Sequence, residues 1–359
     1  MNNKFQNRGL TVPLYLILRK TAMMNLLSSA FLIIILCTAL VVSIYSNKTL
    51  QYSFSQQGTG SFWTRGTDMP RVTTEATSTN LVDAIYVIGG YDEEGEGVGM
   101  VEMYNATSDT WAENIAQLPV PLHHTSAASD QGKIYVAGGY TGDWTASDRL
   151  FIYDPQTHQW TQGNPMPTPR GYPTADFVNG TLYVMGGDGG EGYDRALNAT
   201  ESYNPNTNQW TIHSSMPTPR HHAASAVVDG NIYVIGGRIG EELNNVDLIE
   251  KYDPVSDQWT TDLQPMPSKR SGIAATSVNG SMYVLGGEQN QGTFNNNERY
   301  DPATDTWSQE LPMMNARHGL GVASYDDKIY AIGGGAERGF FTSGINEIFH
   351  LSNDTNLQE

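Results

Sequence analysis

Five histidines stand in two adjacent pairs and one single, His123-His124, His221-His222 and His318, each set just after a link of the Pro-rich or Met-x-x-x-Arg kind. Imidazole is the side chain best placed for proton transfer near neutral pH and a common zinc ligand. A second set of reactive side chains follows Gly-Gly pairs: Tyr91, Tyr140, Asp188, Arg238 and Glu288, with Gly335 in the sixth place. Glu288 or Asp188 with Arg238 could supply the members of an acid/base pair. Tyr and Trp with Arg are also the types that dominate binding hot spots, and Trp144, Tyr172, Tyr193 and Phe294 lie in the same segments. Asp92, Glu93, Glu94 and Glu96 form the densest acidic run, which reads as a solvated acidic surface, with a surface for a cationic partner or for loosely held Ca²⁺ as the alternatives.

Other chemistries are missing. The single cysteine, Cys37, allows neither an intramolecular disulfide nor a multi-thiolate metal site. No nucleophile elbow, phosphate loop or EF-hand spacing is present. A formal charge of −18 disfavours nucleic acid as a partner. These features imply no metal and no cofactor.

The elements that position these residues repeat. Gly-Gly ends an apolar run six times, as in Ile85-Tyr-Val-Ile-Gly89-Gly90 and Leu182-Tyr-Val-Met-Gly186-Gly187, and recurs at Gly138, Gly236, Gly286 and Gly333. Five of the pairs are followed by a Tyr and then a Trp: Tyr104/Trp111, Tyr153/Trp160, Tyr203/Trp210, Tyr252/Trp259 and Tyr300/Trp307. Each unit reads as four short strands; in the third, Asn179-Gly180 predicts a type I′ hairpin between the first two. One four-stranded sheet cannot bury both faces, so the units must stack around an axis.

The double Gly, the Tyr of the third strand and the Trp of the fourth resemble the kelch-repeat family over about Phe62 to Leu351. The resemblance implies an all-β fold, a six-bladed propeller whose b–c and d–a loops share one face. It also implies strand exchange at closure. The sixth unit lacks a Trp strand, while Phe62-Trp63-Thr64 stands unclaimed upstream, so the N-terminal strand should complete the last blade. The family usually binds partners on the b–c face. There we place a ligand-binding set of Tyr91, Tyr140, Trp144, Tyr172, Asp188, Arg238, Glu288, His123, His221 and His318. The residues just after the links are taken as Val72, His123, Gly171, His221, Ser271 and His318. Histidines of alternate blades are expected to lie too far apart to share a metal. The leading function is a non-catalytic module binding a protein or a glycan. The alternative is a sugar epimerase resembling sialic-acid mutarotases and using the central pocket. Copper oxidases with kelch blades need a Tyr–Cys cross-link, which Cys37 cannot provide.

Upstream, Leu26 to Tyr45 carries no charge, and a helix of that length spans about 30 Å, the thickness of a bilayer core. Lys4, Arg8, Arg19 and Lys20 precede it and only Lys48 follows closely, which puts the N-terminus in the cytoplasm. The expected organisation is a cytoplasmic segment 1–25, a transmembrane signal-anchor helix 26–45, a linker 46–61, the propeller 62–351 and a tail 352–359. A cleaved signal peptide is the rival reading; either exports the propeller. Protease added to intact cells should therefore remove the propeller and leave a membrane-bound stub. Protection of the propeller, or a soluble protein with a new N-terminus near residue 44, would contradict the anchor.

Overall fold

The computed structural model describes residues 60–352 apart from 113–114, 191–195 and 241–243. The expected transmembrane helix 26–45, most of the linker and most of the tail lie outside the described residues, as does Tyr193. Among the described residues no helix is long and apolar enough to cross a membrane.

Six four-stranded antiparallel sheets form the blades. Blade 1 runs Thr77–Leu81, Ala84–Ile88, Val101–Asn105 and Thr110–Ala112, called strands a to d in every blade. The a strands of blades 2 to 6 are Ser126–Asp130, Thr174–Val178, Ala224–Val228, Ala274–Val278 and Gly321–Tyr325. They line a central channel of about 350 Å³. Each b strand is covered by sheets on both sides, which is why Ile85, Val87 and Ile88 form an unbroken apolar run, all fully buried. The a–b hairpins are tight: Asn179 and Gly180 have φ of 50° and 76°, and Val178 pairs with Thr181. The left-handed φ at both positions is the type I′ signature anticipated from Asn-Gly.

Closure follows the expected arithmetic. Phe62–Arg65 is the outer strand of blade 6, antiparallel to Asn346–His350, with Trp63 opposite Phe349. A repeated bond joins the blades at their rims. Each Trp indole N–H donates to a carbonyl in the link that leaves the preceding blade's d strand: Trp111 to Thr67 at 2.9 Å, Trp160 to Ala116 at 2.9 Å, Trp210 to Asn164 at 2.8 Å, Trp259 to Ser214 at 2.9 Å, and Trp307 to Gln264 at 2.8 Å. Trp63 does the same to Leu311 at 2.8 Å and completes the circle. Each Trp also packs against its cross-strand ring, about 5 Å between centroids (Trp111–Tyr104 5.1 Å, Trp63–Phe349 5.0 Å).

A deeper joint lies at the Gly pairs. The second Gly of each pair donates its N–H to a carbonyl of the next link: Gly90 to Leu122, Gly139 to Arg170, Gly187 to Arg220, Gly237 to Arg270, Gly287 to Arg317 and Gly334 to Thr73. A Cβ on Gly138 would lie 2.5 Å from the Arg170 carbonyl oxygen, so the close approach excludes any side chain.

Trp63 is half-buried rather than enclosed, because its outer edge faces solvent at the rim. Trp63→Ala should therefore cost about 1–3 kcal/mol, less than removal of a fully enclosed ring. Deleting 60–68 should do more harm, since it uncovers the edge of Asn346–His350 and invites aggregation. Urea denaturation and light scattering measure both. A Trp63→Ala variant as stable as its parent would contradict the closing role.

Candidate functional site

The link before each a strand makes one left-handed step at the axis. Glu75, His124, Tyr172, His222, Gly272 and Gly319 have φ between 51° and 60°. Their backbones bond from blade to blade: His124 N–H to Glu75 O (3.0 Å), Tyr172 to His124 (2.9 Å), Gly272 to His222 (3.1 Å), Gly319 to Gly272 (3.0 Å) and Glu75 to Gly319 (2.8 Å). This ring caps the channel on the b–c face. One residue earlier, Thr74, His123, Gly171, His221, Ser271 and His318 each form a β-bridge with the residue after a Gly pair, Tyr91, Tyr140, Asp188, Arg238, Glu288 and Gly335.

The expected binding residues thus converge on one mouth, with two corrections of register and distance. Thr74, not Val72, is the bridging residue of the first blade, because Arg71 comes two places earlier after Met69 than Arg170 does after Met166. Histidines of alternate blades do meet: His124 and His222 are 5.7 Å apart between ring centroids. The left-handed step turns both side chains inward, which repeat spacing alone does not reveal. Among the described residues no group of three or more His, Cys, Asp or Glu is arranged to hold a metal.

Most of the set is buried. Tyr91, Tyr140, His123, His221, Asp188, Arg238, Glu288 and His318 are all below 10% exposure and Tyr172 is half-buried; Trp144 alone stands 46% exposed. Tyr172 is clamped between His124 and His222, 3.8 and 3.3 Å between ring centroids. Glu75 lies at the centre, 3.2 Å from His124 Nε2 and 3.4 Å from His318 Nε2. Arg238 binds Glu288 at 3.0 Å and donates to His222 Nε2 at 2.6 Å. Arg338 lies 3.5 Å from Glu288. Asp188 accepts from the Gly190 N–H at 2.7 Å and shapes its own loop. Glu75, His124, His222 and Arg338 are functional candidates absent from the expected set. The paired histidines carried a signal for two of them; Glu75 was hidden by the register of the first link.

The protons can be assigned from the bonding. With neutral rings, Tyr91 O–H donates to His123 Nε2 (3.1 Å), His123 Nδ1–H to His124 Nδ1 (2.5 Å), and His124 Nε2–H to the Glu75 carboxylate. Arg238 makes His222 Nε2 an acceptor, so His222 donates from Nδ1 to His221. Burial, aided by the neighbouring His124, pushes His123 down to about 3; burial and Arg238 push His221 down to about 4. Burial and Arg238 hold His222 well below its usual range. Burial also lowers His124, against the pull of Glu75. Burial alone would raise Glu75, but His124, then His318 and Arg238, hold it at about 2. Since His124 is neutral at pH 7, its N–H bond and the fixed charge of Arg238 carry that effect.

Every such shift has one sign. His123, His124, His221 and His222 are neutral when folded and take up protons on unfolding below 6.5, and Glu75 does so below its ordinary 4.5. Stability should fall as pH drops from about 6.5 towards 3–4, and further towards 2 as Glu75 protonates. Melting temperatures at pH 7.5, 5.5 and 4 test this, and His123→Gln with His221→Gln should flatten the slope. A Tm constant from pH 7.5 to 4 would contradict the buried neutral cluster.

Comparison with known proteins gives the following. The KLHDC2/KLHL20/DRC7 Kelch-repeats domain profile matches residues 75–266, and the Kelch motif profile matches residues 269–314. Beta-scruin of Limulus polyphemus is 31% identical over 131 residues, 35% of this chain and 14% of beta-scruin. Kelch-like protein 23 of Homo sapiens is 34% identical over 127 residues, 35% of this chain and 22% of that protein. The matched stretch therefore spans less than a quarter of either relative. The solved structure of YjhT has a similar fold, with a TM-score of 0.68 at 16% identity, covering 80% of this chain and 97% of that one.

Proposed function

From the premise that the chain belongs to the kelch-repeat propeller family, we propose that it is a non-catalytic module that binds a protein through the mouth on its b–c face. Propellers of this family are typically protein-binding modules. The observation that carries the reading is a change of character across the mouth. The channel behind it is capped by the chain's own side chains, whereas Trp144, Phe340 and Phe341 stand 46%, 54% and 52% exposed in front. Exposed rings on a rigid base suit a flat contact with a partner. In this reading the apolar segment 26–45 anchors the propeller outside the cytoplasm.

A second reading, the sugar epimerase, draws on the carboxylate–histidine contacts at the axis, Glu75 with His124 and His318. It would require anomer interconversion of a sialic acid, seen by NMR and lost in Glu75→Gln.

The binding reading is tested in cells expressing the full chain. A photo-crosslinking phenylalanine analogue replaces Phe341 in one strain. In another it replaces Val255, which is 90% exposed in the c–d turn on the opposite face. A discrete protein adduct from the first site only, weakened by Trp144→Ala, is expected. Equal adducts from both sites, adducts to carbohydrate alone, or no adduct would overturn the proposal.

A further inference from the structure

Trp144 and Phe340 belong to the b–c loops of blades 2 and 6, and both pack on Tyr91 of blade 1, at 6.2 and 4.9 Å between ring centroids. Between them stands the blade 1 loop with Asp92, Glu93, Glu94 and Glu96. Asp92 accepts from the N–H groups of Glu94 (3.1 Å) and Glu96 (2.9 Å), which folds the loop into a tight turn. The Phe340 ring lies against that turn: a Cβ on Gly95 would sit 3.6 Å from it. Glu93, Glu94 and Glu96 are exposed, and none has a cationic partner among the described residues. Trp144 is held with φ of 62°, an uncommon backbone for a bulky residue. The turn that fixes it is closed by its N–H on Thr141 O at 2.8 Å and by Thr141 N–H on Thr145 O at 3.2 Å.

We propose that this surface takes a lysine- or arginine-bearing segment of a partner protein, its cation seated against the exposed rings of Trp144 and Phe340, which rest on the buried Tyr91, beside Glu93, Glu94 and Glu96. This rests on the reading of the mouth as a protein-binding surface. Ring faces attract cations, and the apolar stem of Lys or Arg covers ring edges that water would otherwise wet. Three unpaired carboxylates beside the rings complement such a cation. They would repel an acidic segment, as would a formal charge of −18. A neutral sugar would use the rings and leave the carboxylates without a role.

The full chain is titrated with a labelled peptide of alternating Lys and Gly, and with its Glu–Gly counterpart, by fluorescence anisotropy. The Lys peptide should bind and the Glu peptide should not. Trp144→Ala, and separately Glu93→Gln with Glu94→Gln and Glu96→Gln, should each weaken binding about tenfold. Asp229→Asn with Asp326→Asn and Asp327→Asn removes three exposed carboxylates from the opposite face. That variant should change binding by about twofold at most, since exposed charges at such range are screened. An equal loss in the opposite-face variant, no loss in Trp144→Ala, or equal binding of the Glu peptide would overturn the cationic partner. If these fail while the Phe341 adduct persists, the mouth still binds a protein and only its partner class is wrong.

Discussion

The mouth depends on four guanidinium groups removed from water. Arg170, Arg220, Arg270 and Arg317 are at most 1% exposed, and each faces a buried glutamate of the following blade's c strand, Glu201, Glu250, Glu298 and Glu347. Isolated, such charges would be very costly to bury. Here each also donates to backbone carbonyls. Arg317 reaches Ala331, Gly333 and Ile345, the end of strand b, the first Gly and the approach to strand c. One side chain from the link thus clamps both feet of a b–c loop. The remaining blades show what the slot requires. Blade 2 fills it with Leu122 and Phe151, both buried in the same apolar cluster. Blade 1 puts Thr73 there, donating to Tyr91 O at 2.9 Å, while Arg71 reaches Glu102 from the half-exposed side. Filling is obligatory and charge is optional, as expected when a buried ion pair gives little net stability over an apolar pair of similar volume.

The scaffold was legible because its rules are local. Apolar runs ending in Gly-Gly six times, a Tyr–Trp spacing repeated five times and Asn-Gly at two of the hairpin turns each carry a backbone or packing demand. The unclaimed Trp63 gave closure by counting. The site was only partly legible, for a geometric reason. Repeat spacing tells which blade a residue belongs to, and says nothing of its radius from the axis. His124 and His222 are nearly a hundred positions apart, yet one left-handed residue turns each ring inward until they touch the same tyrosine, Tyr172. Burial of the set was invisible for the same reason: Tyr91 and His123 look like loop residues in sequence but stack on each other, 4.2 Å apart, beneath Trp144.

The six ring positions are chemically unequal, and that inequality lets the axis be filled. They read Glu75, His124, Tyr172, His222, Gly272, Gly319. Six side chains could not share one axis. At Gly319 a Cβ would lie 2.7 Å from the Glu75 carboxylate, whereas at Gly272 it would make only ordinary contact with Glu288 and His318 at 3.5 Å. Gly319 is therefore the space into which Glu75 crosses to meet His318. The same economy operates one layer up, where a Cβ on Gly171 would fall 1.9 Å from the Tyr140 ring. Filling the axis with histidine rings, Tyr172, the carboxylates of Glu75 and Glu288 and the Arg238 guanidinium leaves little freedom for the loops above. Rings held this way lose little entropy when a partner arrives, which favours binding without any further contact. The sixfold frame closes the circle, and the b–c loops of blades 2 and 6 add the exposed rings Trp144, Phe340 and Phe341, which the other described b–c loops lack.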